Sequence, residues 1–531
     1  MTLLECMLEP GPGLVTILGR RGQVEHIERD PLLEDARRVG AGLRAEGVDR
    51  GDVVGIVIRP DLDAISGLIA TWTIGATALV LPSRGPLEER ERWSHRTSDI
   101  LERASARLAI LPETEPDARA SPSRTTDELR HDDQGPLQPP APDDAALLRL
   151  SSGTSGPVKL VPRSHAALRA QLDRDQADEE GLTPGTDRRL GWGPLHTHHL
   201  LNDVLYPIAA GVDTVLVPTR RVTEDPLRWL VEMSAHRATY SAAANFAYDL
   251  VASRIEAGTA DDLDLDLSAW RLAHCGGEAI DPATFERFAA ATERWGFDPR
   301  ALRAIYGSSE FGRITATPPD ERWHTDRIRP SSLAAGRAAP ATSDDPDAVR
   351  LLSVGHPPSD VEIRIRTERG HEAPERVVGD IVARRPEMTS GYVGDEDASR
   401  RRFRDGWFHT GDLGYHADDQ LYIVGRADDT IIVRGRNLQP AAIEHELAAA
   451  LGDGVDTVAL TYHRDRASTT LTVLIEASDP PDDLRATVDP ILNRLAGVTA
   501  TDITVLAPGT LPRNTSGKLD RRKLTTFHQR T

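Results

Sequence analysis

A loop of glycine, serine and threonine residues, LSSGTSGPVKL at positions 150–160, has a composition that suits phosphate binding. Its hydroxyl groups can donate hydrogen bonds to an anion, and its glycines let backbone N–H groups turn toward that anion. The spacing does not match the G-x-x-x-x-G-K-[ST] motif, so an ordinary Ser/Gly-rich loop remains the alternative. The candidate phosphate ligands are Ser151, Ser152, Gly153, Thr154, Ser155, Gly156 and Lys159.

Lysine is almost absent from the chain. Of 63 basic residues only three are lysines, namely Lys159, Lys518 and Lys523. Drift from Lys to Arg in a GC-rich genome explains the deficit, but it does not explain where the remaining lysines lie. A compact ammonium differs from a planar guanidinium where a single-point charge is needed. We therefore predict functional roles for Lys159, in the loop, and for Lys518, in a Ser-Gly-Lys turn.

Two carboxylates stand in settings that suit a metal ion and a sugar. In YGSSE, residues 306–310, Glu310 follows two serines at the predicted end of a strand, and it could bind a magnesium ion shared with phosphate oxygens. In DGWFHTGDLG, residues 405–414, Asp412 lies between glycines, where a carboxylate on a tight turn could accept both hydroxyls of a ribose. Each motif alone is also compatible with an ordinary turn.

Taken together and in this order, these segments and two later ones, GRADDTIIVRGRN and LPRNTSGK, resemble the core motifs of the adenylate-forming superfamily. That superfamily includes acyl-CoA synthetases, fatty acyl-AMP ligases, peptide-synthetase adenylation domains and luciferases. The resemblance covers nearly the whole chain. It implies a large N-terminal domain, residues 1–425, that binds AMP and the acyl group. It also implies a small C-terminal lid, residues 426–531, with a hinge at Asp428.

The resemblance assigns roles to the motif residues. The Ser/Thr/Gly loop would hold the β- and γ-phosphates of ATP, Glu310 would bind magnesium, and Lys518 would bridge the carboxylate and the α-phosphate. Fixed cations such as Lys518 and the magnesium ion lower the barrier to bringing the carboxylate and the phosphate, two anions, together. The other cofactor-binding residues would be Gly276, Gly277 and Glu278 along the adenine, Tyr306 on the base with Gly307, Ser308 and Ser309 after it, and Asp412 and Arg426 at the ribose.

A narrower likeness is to fatty acyl-AMP ligases and their relatives. It rests on DPLRWLVEMSAHRATYSAAANFAYDL, WRLAHCGGEAIDPATFERF and IIVRGRNLQPAAIE, and on an extended stretch between Glu310 and Gly355. In that branch an insertion at this place restrains the lid and disfavours CoA. The phosphate loop and YGSSE depart from the branch's usual forms. The resemblance therefore implies CoA or a carrier-protein pantetheine as the acyl acceptor, and we favour CoA.

Three histidines in PLHTHHLLN, residues 194–202, stand where relatives usually show an aromatic-His-Asp run. No cysteine pair or acidic partner stands at the spacing of zinc ligands, so we interpret these histidines as lining the acyl pocket. For the further candidates Asn245, Phe246 and Tyr248, ordinary packing at a βα junction is the alternative. The predicted pocket residues are His196, His198, His199, Asn245, Phe246 and Tyr248.

The elements that must position these residues alternate between helices and strands, which is typical of an α/β sheet with crossover helices. Near residue 425 the pattern changes to two strands and a helix over residues 441–451 that Pro440 opens. The stretches 112–144 and 318–347 are predicted to be surface loops. The fold class is therefore α/β, with layered sheets and helices followed by an α+β lid. Helices and strands in the N-terminal part are predicted over residues 31–46, 52–58, 65–74 and 77–81.

Composition excludes several classes of function. A net charge of −20 argues against nucleic-acid binding, which needs concentrated positive charge. Cys6 and Cys275 are too few for a disulfide framework, which indicates a reducing compartment. The first ten residues lack the features of a signal peptide, and the most apolar stretch is too short for a membrane span. We expect a cytoplasmic protein.

The leading hypothesis is ATP-dependent activation of a carboxylic acid as an acyl-adenylate, followed by transfer to a pantetheine thiol. Amino-acid adenylation is less favoured, because only Asp203 among residues 194–205 could hold an α-ammonium. A partial enzyme that only makes the thioester from acyl-adenylate is an alternative, because the phosphate loop is altered. A binding protein with a dead site is disfavoured, because both motif lysines, Glu310 and Asp412 are present. The sequence does not name the acid.

Overall fold

The computed structural model describes residues 1–9, 11–19, 22–85, 88–113, 122–132, 136–151, 158–176, 181–319, 321–333, 335–345, 348–433, 436–452, 454–464, 469–481, 483–496, 498–513, 519–521 and 523–524. Within these residues the α-helices are α1 (Leu3–Leu8), α2 (Arg29–Ala45), α3 (Leu62–Thr73), α4 (Arg90–Arg103), α5 (Thr126–Leu129), α6 (His165–Arg174), α7 (Tyr206–Ala210), α8 (Thr219–Glu224), α9 (Leu227–Ala235), α10 (Asn245–Glu256), α11 (Pro282–Thr292), α12 (Pro330–Leu333), α13 (Glu396–Arg402), α14 (Pro440–Leu451) and α15 (Leu484–Ala496). A π-helical turn spans Leu200–Leu205, and 3₁₀ turns span Glu293–Trp295, Pro299–Ala301 and Ala427–Asp429.

The strands of the same residues are β1 (Leu14–Leu18), β2 (Val24–Glu28), β3 (Val53–Ile58), β4 (Thr77–Pro82), β5 (Leu108–Ile110), β6 (Ser123–Arg124), β7 (Ala145–Ser151), β8 (Lys159–Ser164), β9 (Arg188–Gly191), β10 (Asp213–Leu216), β11 (Tyr240–Ala243), β12 (Leu272–Gly276), β13 (Leu302–Ser308), β14 (Gly312–Ala316), β15 (Thr325–Ile328), β16 (Val349–Leu352), β17 (Glu362–Arg366), β18 (Gly379–Arg384), β19 (Phe403–Arg404), β20 (Trp407–Ala417), β21 (Gln420–Arg426), β22 (Ile431–Val433), β23 (Arg436–Leu438), β24 (Val455–Arg464), β25 (Thr469–Ala477) and β26 (Asp502–Leu506).

Two large sheets form the N-terminal part. One has the order β14-β13-β12-β11-β9-β10-β1-β2. Its strands from β13 through to β1 run parallel to one another, and the edge strands β14 and β2 are antiparallel to their neighbours. The other has the order β6-β5-β3-β4-β7-β8 and is parallel except at β7–β8. Parallel strands bring their carboxyl ends to one edge of a sheet, where α/β proteins bind ligands. Because β12 and β13 are parallel neighbours, residues 276–278 and 306–310 lie at the carboxyl ends of two adjacent strands.

A third, antiparallel sheet of five strands has the order β17-β18-β20-β19, with β21 also paired to β20. It carries Asp412 on β20 opposite Arg426 on β21. The chain then forms a smaller unit in which β24, β25 and β26 make one sheet beneath α14 and α15. This unit has its own apolar core around Leu447, Val473 and Leu492, all fully buried. The α/β fold class with a small α+β C-terminal part is confirmed.

The N-terminal elements follow from the sequence pattern. The residues of β4 are apolar apart from Thr77 and are buried, as expected for an interior strand of a parallel sheet. Asp61 begins α3 by accepting a hydrogen bond from the Ala64 N–H at 2.9 Å, which satisfies an otherwise unpaired donor at the helix start. The predictions for α2, β3, α3 and β4 are confirmed to within a few residues at each end, and so is the prediction for α14.

Two predicted loops contain regular elements, and those predictions are wrong in part. Within 112–144 a capping box between Thr125 and Glu128 begins α5, a local signal that the Pro- and Asp-rich composition masked. Within 318–347 the described residues form β15, which pairs antiparallel with β16, and α12. α12 contacts α15, and Val349 packs against the core of the C-terminal unit. The stretch therefore bridges the N-terminal part and the C-terminal unit.

Candidate functional site

Glu310 lies in the turn that follows β13 and is held by two hydroxyl donors. Ser151, the last residue of β7, donates its hydroxyl to Glu310 Oε1 at 2.7 Å. Tyr392, between β18 and α13, donates to the same oxygen at 3.0 Å. Glu310 Oε2 accepts no hydrogen bond from the part of the chain that the structure describes. Two segments that are distant in the chain thus fix this carboxylate, while its second oxygen has no contact among the described residues.

Lys159, the first residue of β8, lies beside the same tyrosine. Its Nζ is 4.7 Å from the centroid of the Tyr392 ring, a distance at which a cation is attracted to an aromatic face. Lys159 is 9 % exposed. Burial and the nearby charge of Arg402 lower the pKa of Lys159, and the carboxylate of Glu310 opposes that shift. The loop lysine and the candidate metal ligand therefore share one neighbourhood.

Asp412 is bound on both oxygens. The Tyr306 hydroxyl donates to Oδ2 at 2.6 Å, and Arg426 Nη1 donates to Oδ1 at 2.9 Å. Burial raises the pKa of Asp412, and the charge of Arg426 works against that rise. The predicted tight turn is wrong, because Asp412 lies within the long strand β20. An irregularity after Leu413 interrupts the regular register of β20 with β21.

The segment 276–278 follows β12. A side chain at Gly276 would come within 2.6 Å of the Ile305 carbonyl oxygen, so only glycine fits between β12 and β13. Gly277 has a φ of +82°, in the left-handed region that glycine adopts without strain. Glu278 is exposed and accepts a hydrogen bond from the Phe246 N–H at 2.8 Å. This geometry leaves exposed backbone at the end of β12.

The segment 306–310 contains a bulge between Tyr306 and Gly307. Ser308 accepts a hydrogen bond at Oγ from the Phe311 N–H at 3.2 Å, which closes the turn that carries Glu310. Ser309 is partly exposed within that turn. Tyr306 is buried, and burial followed by the charge of Asp412 raises the pKa of its hydroxyl well above the usual value. The tyrosine hydroxyl therefore keeps its proton and donates a hydrogen bond to Asp412.

Asp428 lies in the 3₁₀ turn Ala427–Asp429. Its Oδ2 accepts a hydrogen bond from Arg402 Nη2 at 3.1 Å. Arg402 also donates to the His409 carbonyl at 3.2 Å, so it connects α13 to the residue predicted to be the hinge. The boundary after residue 425 and the hinge stay predictions.

The three histidines occupy different settings. His199 is buried and its Nδ1 lies 2.6 Å from Asp203 Oδ2, one turn ahead in the π-helical segment. The His198 ring lies against it, with centroids 4.2 Å apart. Burial, with the charges of Arg96 and Arg149, lowers the pKa of His196 to about 4, so its ring is neutral near pH 7. Their role in the acyl pocket stays a prediction.

The other pocket candidates have structural contacts. Asn245 accepts a hydrogen bond at Oδ1 from the Asp281 N–H at 3.1 Å. Tyr248 is fully buried, donates to the His274 carbonyl at 2.9 Å and packs against Trp229. Phe246 is 53 % exposed beside Glu278. Of the three, Phe246 is the side chain open to a ligand.

Other predicted residues lie outside the described part of the chain. These are Ser152, Gly153, Thr154, Ser155, Gly156 and Lys518. Conversely, sequence reasoning missed Tyr392 and Arg402, which contact Glu310 and Asp428. Tyr392 stands in SGYVGD, an aromatic residue flanked by glycines, and Arg402 ends a run of three arginines. Both local patterns could have drawn attention to them.

A family model described as AMP-binding enzyme matches residues 28–393, more than half of the chain. The chain belongs to this family. A Mycobacterium tuberculosis protein named as the ligase Rv1013 is 30 % identical to this AMP-binding enzyme over 515 residues, covering 93 % of each chain. The M. tuberculosis long-chain-fatty-acid–AMP ligase FadD28 is 29 % identical over 71 % of this chain and 69 % of its own length.

A solved structure from work on fatty acyl-adenylate ligases of E. coli and L. pneumophila superposes on this AMP-binding enzyme with a TM-score of 0.89 at 26 % identity, covering 100 % of this chain and 98 % of that one. The resemblance to the adenylate-forming superfamily is thereby confirmed. The protein is an adenylate-forming ligase, and enzymes of this family act on ATP and a carboxylic acid. Among the helices of the described residues, none has the length and apolar character needed to span a membrane.

Proposed function

We propose that this AMP-binding enzyme activates a carboxylic acid as acyl-AMP and passes the acyl group to the pantetheine thiol of CoA. In the first step a carboxylate oxygen attacks the α-phosphorus of ATP, and pyrophosphate leaves with the electrons of the broken P–O bond. In the second step the thiol sulfur attacks the acyl carbon, AMP leaves, and the thiol proton passes to solvent. The observation that carries the proposal is the pair of carboxylates, Asp412 and Glu310, each fixed by hydroxyl donors.

The Asp412 cluster supports nucleotide binding. Tyr306 and Arg426 hold the two carboxylate oxygens in place, yet each oxygen keeps a lone pair that can accept a ribose hydroxyl. The adjoining segments 276–278 and 306–309 would lie along the adenine. Preorganised groups of this kind need no rearrangement when the ligand arrives, which favours binding.

Glu310 fits a magnesium ion. Mg²⁺ in phosphate-transfer sites is bound by one or two carboxylates and completes its shell with water and phosphate oxygens. Glu310 has a free Oε2 among the described contacts, and Ser151 and Tyr392 orient the group through Oε1. When bound, the metal would neutralise charge on the leaving pyrophosphate. Lys159 would add a fixed positive charge beside it, and Lys518 would contribute the charge at the α-phosphate.

The domain division is part of the proposal. We place the nucleotide and acyl sites in residues 1–425 and a lid in residues 426–531, turning about Asp428. Rotation would carry Lys518 away after adenylation and open a path for the thiol. Two buried free cysteines, Cys6 and Cys275, support a reducing cytoplasmic location.

A carrier protein is the second candidate acceptor. The contact between α12 and α15, together with the packing of Val349 on the C-terminal core, supports a restraint on the lid. FadD28 and the superposed structure are both named for fatty acids joined to AMP. These names also make long-chain fatty acids the first members of any substrate panel.

The deciding experiment is ATP–pyrophosphate exchange over a panel of fatty, aryl and polycyclic acids, followed by thioester assays with CoA and with holo-carrier protein. We expect exchange with at least one acid and its loss in Asp412→Asn. Asp326→Asn is the matched control, because Asp326 also accepts hydrogen bonds from a tyrosine hydroxyl, that of Tyr415 at 2.8 Å, and from an arginine, Arg376 Nη1 at 2.8 Å. Thioester formation from synthetic acyl-adenylate without any exchange would instead identify a partial enzyme.

A further inference from the structure

Beneath the turn that carries Glu310 lies a group of buried cations that the proposed reaction does not use. Arg163 on β8 is 1 % exposed, and Arg385, directly after β18, is 6 % exposed. Tyr206, the first residue of α7, is 2 % exposed. Burying an unpaired charge costs several kcal/mol, so buried arginines ordinarily have an anionic partner.

These side chains adjoin one another. Arg163 Nη2 donates to Gln171 Oε1 at 3.2 Å. A methyl group at Gly312 would meet that same Gln171 oxygen at 2.6 Å and Arg385 Nη2 at 3.3 Å. Arg385 also donates to the Phe311 carbonyl and lies 4.4 Å from the Phe311 ring centroid. Both guanidinium groups therefore lie close to the backbone that follows Glu310. Burial raises the pKa of the Tyr206 hydroxyl, and the charges of Arg163 and Arg385 oppose that rise, so this hydroxyl lies near both arginines.

Several hydrogen-bond donors in this group have no protein partner. Within the described residues, Arg163 Nη1, Arg385 Nε, Arg385 Nη1 and the Tyr206 hydroxyl are buried without one. Burial lowers the pKa of Arg163, and burial together with the charge of Arg163 lowers that of Arg385. An unmade hydrogen bond of a buried donor costs about 1–3 kcal/mol, and more when the donor is charged.

Each nearby carboxylate already pairs with another arginine. Asp175 accepts from Arg313 Nη2 at 2.7 Å, and Asp360 Oδ2 accepts from Arg174 Nη1 at 2.6 Å, while Asp360 Oδ1 is buried with no partner among the described residues. Glu387 lies 3.4 Å from the same Arg174 atom. A further buried cation, Arg149, has its pKa lowered to about 10 by burial and by Arg163. Glu310 also acts on Arg149, so the carboxylates of the group are Asp175, Glu310, Asp360 and Glu387. The arginines, which are Arg149, Arg163, Arg174, Arg313 and Arg385, outnumber them by one.

We propose that Arg163, Arg385 and the Tyr206 hydroxyl bind a chloride ion in the protein interior, under the turn that carries Glu310. Chloride fits because it accepts several hydrogen bonds at once and is less costly to dehydrate than a divalent anion. It would satisfy the unpaired donors and balance the excess charge. The proposal does not depend on the acid, the acceptor or the adenylation reaction.

Two measurements on the full chain test it. Thermal unfolding is followed in chloride, bromide, phosphate and gluconate at constant ionic strength and pH. A ligand that binds only the folded state raises Tm with its concentration, so we expect a saturable rise of a few degrees in chloride and bromide over gluconate. Crystals grown in bromide should show an anomalous peak within hydrogen-bond distance of Arg163 and Arg385.

Variants decide which side chains are responsible. Arg163→Met and Arg385→Met should lose the chloride-dependent rise. Tyr206→Phe keeps the ring and removes one hydrogen-bond donor. About ten times more chloride should then be needed for half of the rise in Tm. This variant tests the site even if the arginine variants fail to fold. Arg189→Met is the control, because Arg189 is equally buried but lies over the Tyr240 ring at 3.8 Å.

Equal Tm values in chloride and gluconate, or ordered water in place of a bromide peak, would overturn the proposal. Stabilisation by phosphate but not by chloride would contradict the halide assignment. Unchanged chloride dependence in Tyr206→Phe would contradict the role of the hydroxyl.

Discussion

The ammonium group of Lys159 lies 4.7 Å from the centroid of the Tyr392 ring, whose hydroxyl donates to Glu310 at 3.0 Å. One aromatic side chain thus touches a cation on its face and an anion through its hydroxyl. Tyr392 belongs neither to β8, which carries Lys159, nor to the turn after β13, which carries Glu310. Its position connects the start of β8 to the turn after β13 through a single residue.

Replacing Tyr392 separates these two contacts. Tyr392→Phe keeps the ring under Lys159 and removes the hydrogen bond to Glu310, which should lower kcat/KM for pyrophosphate exchange by about tenfold. Tyr392→Leu removes both contacts and should be several-fold worse again. Exchange kinetics over a range of magnesium concentrations measure the effect. Equal losses in the two variants would show that the ring face contributes nothing.

Lys518→Ala tests the charge assigned to the α-phosphate. Adenylate formation should fall by about 10²–10³-fold, as for the loss of one preorganised charge at a transition state. Thioester formation from synthetic acyl-adenylate should change far less, because that step needs no charge there. Lys523→Ala is the control, since Lys523 is exposed and pairs with Asp520 at 2.9 Å. An equal loss in both half-reactions would contradict the role.

Asp428→Pro tests the hinge. Proline fixes φ near about −65° and should prevent the lid from turning. Pyrophosphate exchange should persist while thioester formation is lost, and the two assays on one preparation measure this. Asp428→Ala separates the backbone effect from the loss of the contact with Arg402 Nη2 at 3.1 Å. Full thioester activity in the proline variant would place the hinge elsewhere.

Val349→Ala tests whether the bridging stretch restrains the C-terminal unit. Val349 packs against the C-terminal core, so trimming it should weaken that contact and raise CoA turnover several-fold while adenylation stays unchanged. Leu351→Ala is a matched control on the same strand, because Leu351 packs in the cluster around Ile328 and Tyr415 instead. A point change is preferable to deletion, since deletion would remove β15, the partner of β16. Equal CoA rates in wild type and Val349→Ala would show that the contact is not a restraint.

His165 makes stability depend on pH. His165 is fully buried, and burial lowers the pKa of its imidazole to about 4. The unfolded chain binds this proton near pH 6.5, whereas the native state binds it only near pH 4. The free energy of unfolding should therefore fall as pH drops through that window, by up to about 3 kcal/mol from this residue. His165→Leu should reduce the fall in denaturant unfolding, whereas His371→Gln, at an exposed site, should not.

Much of the site was accessible from the sequence because its ligands stand in short local motifs. Glu310, Asp412 and Arg426 could be found in this way, and the structure brings Asp412 and Arg426 into direct contact. The glycines around Tyr392 could have drawn attention to it, but its role could not be predicted, since that role arises only when β8 and the turn after β13 come together at this side chain. The glycines that flank Asp412 predict a turn, yet strand pairing with β21 overrides that local preference. Likewise, α12 is too short for helical periodicity to reveal it.

Both thiols of this chain are buried, and one of them, Cys275, is the residue directly before Gly276 on β12. Burial raises the pKa of Cys275 well above the usual value, so the reactive thiolate is scarce in the native state. Alkylation at this position therefore requires the strand to open. The labelling rate of Cys275 therefore measures how often the sheet edge proposed for the adenine opens locally. Cys6 on α1 serves as an internal reference. A bound nucleotide should slow the labelling of Cys275 relative to that of Cys6.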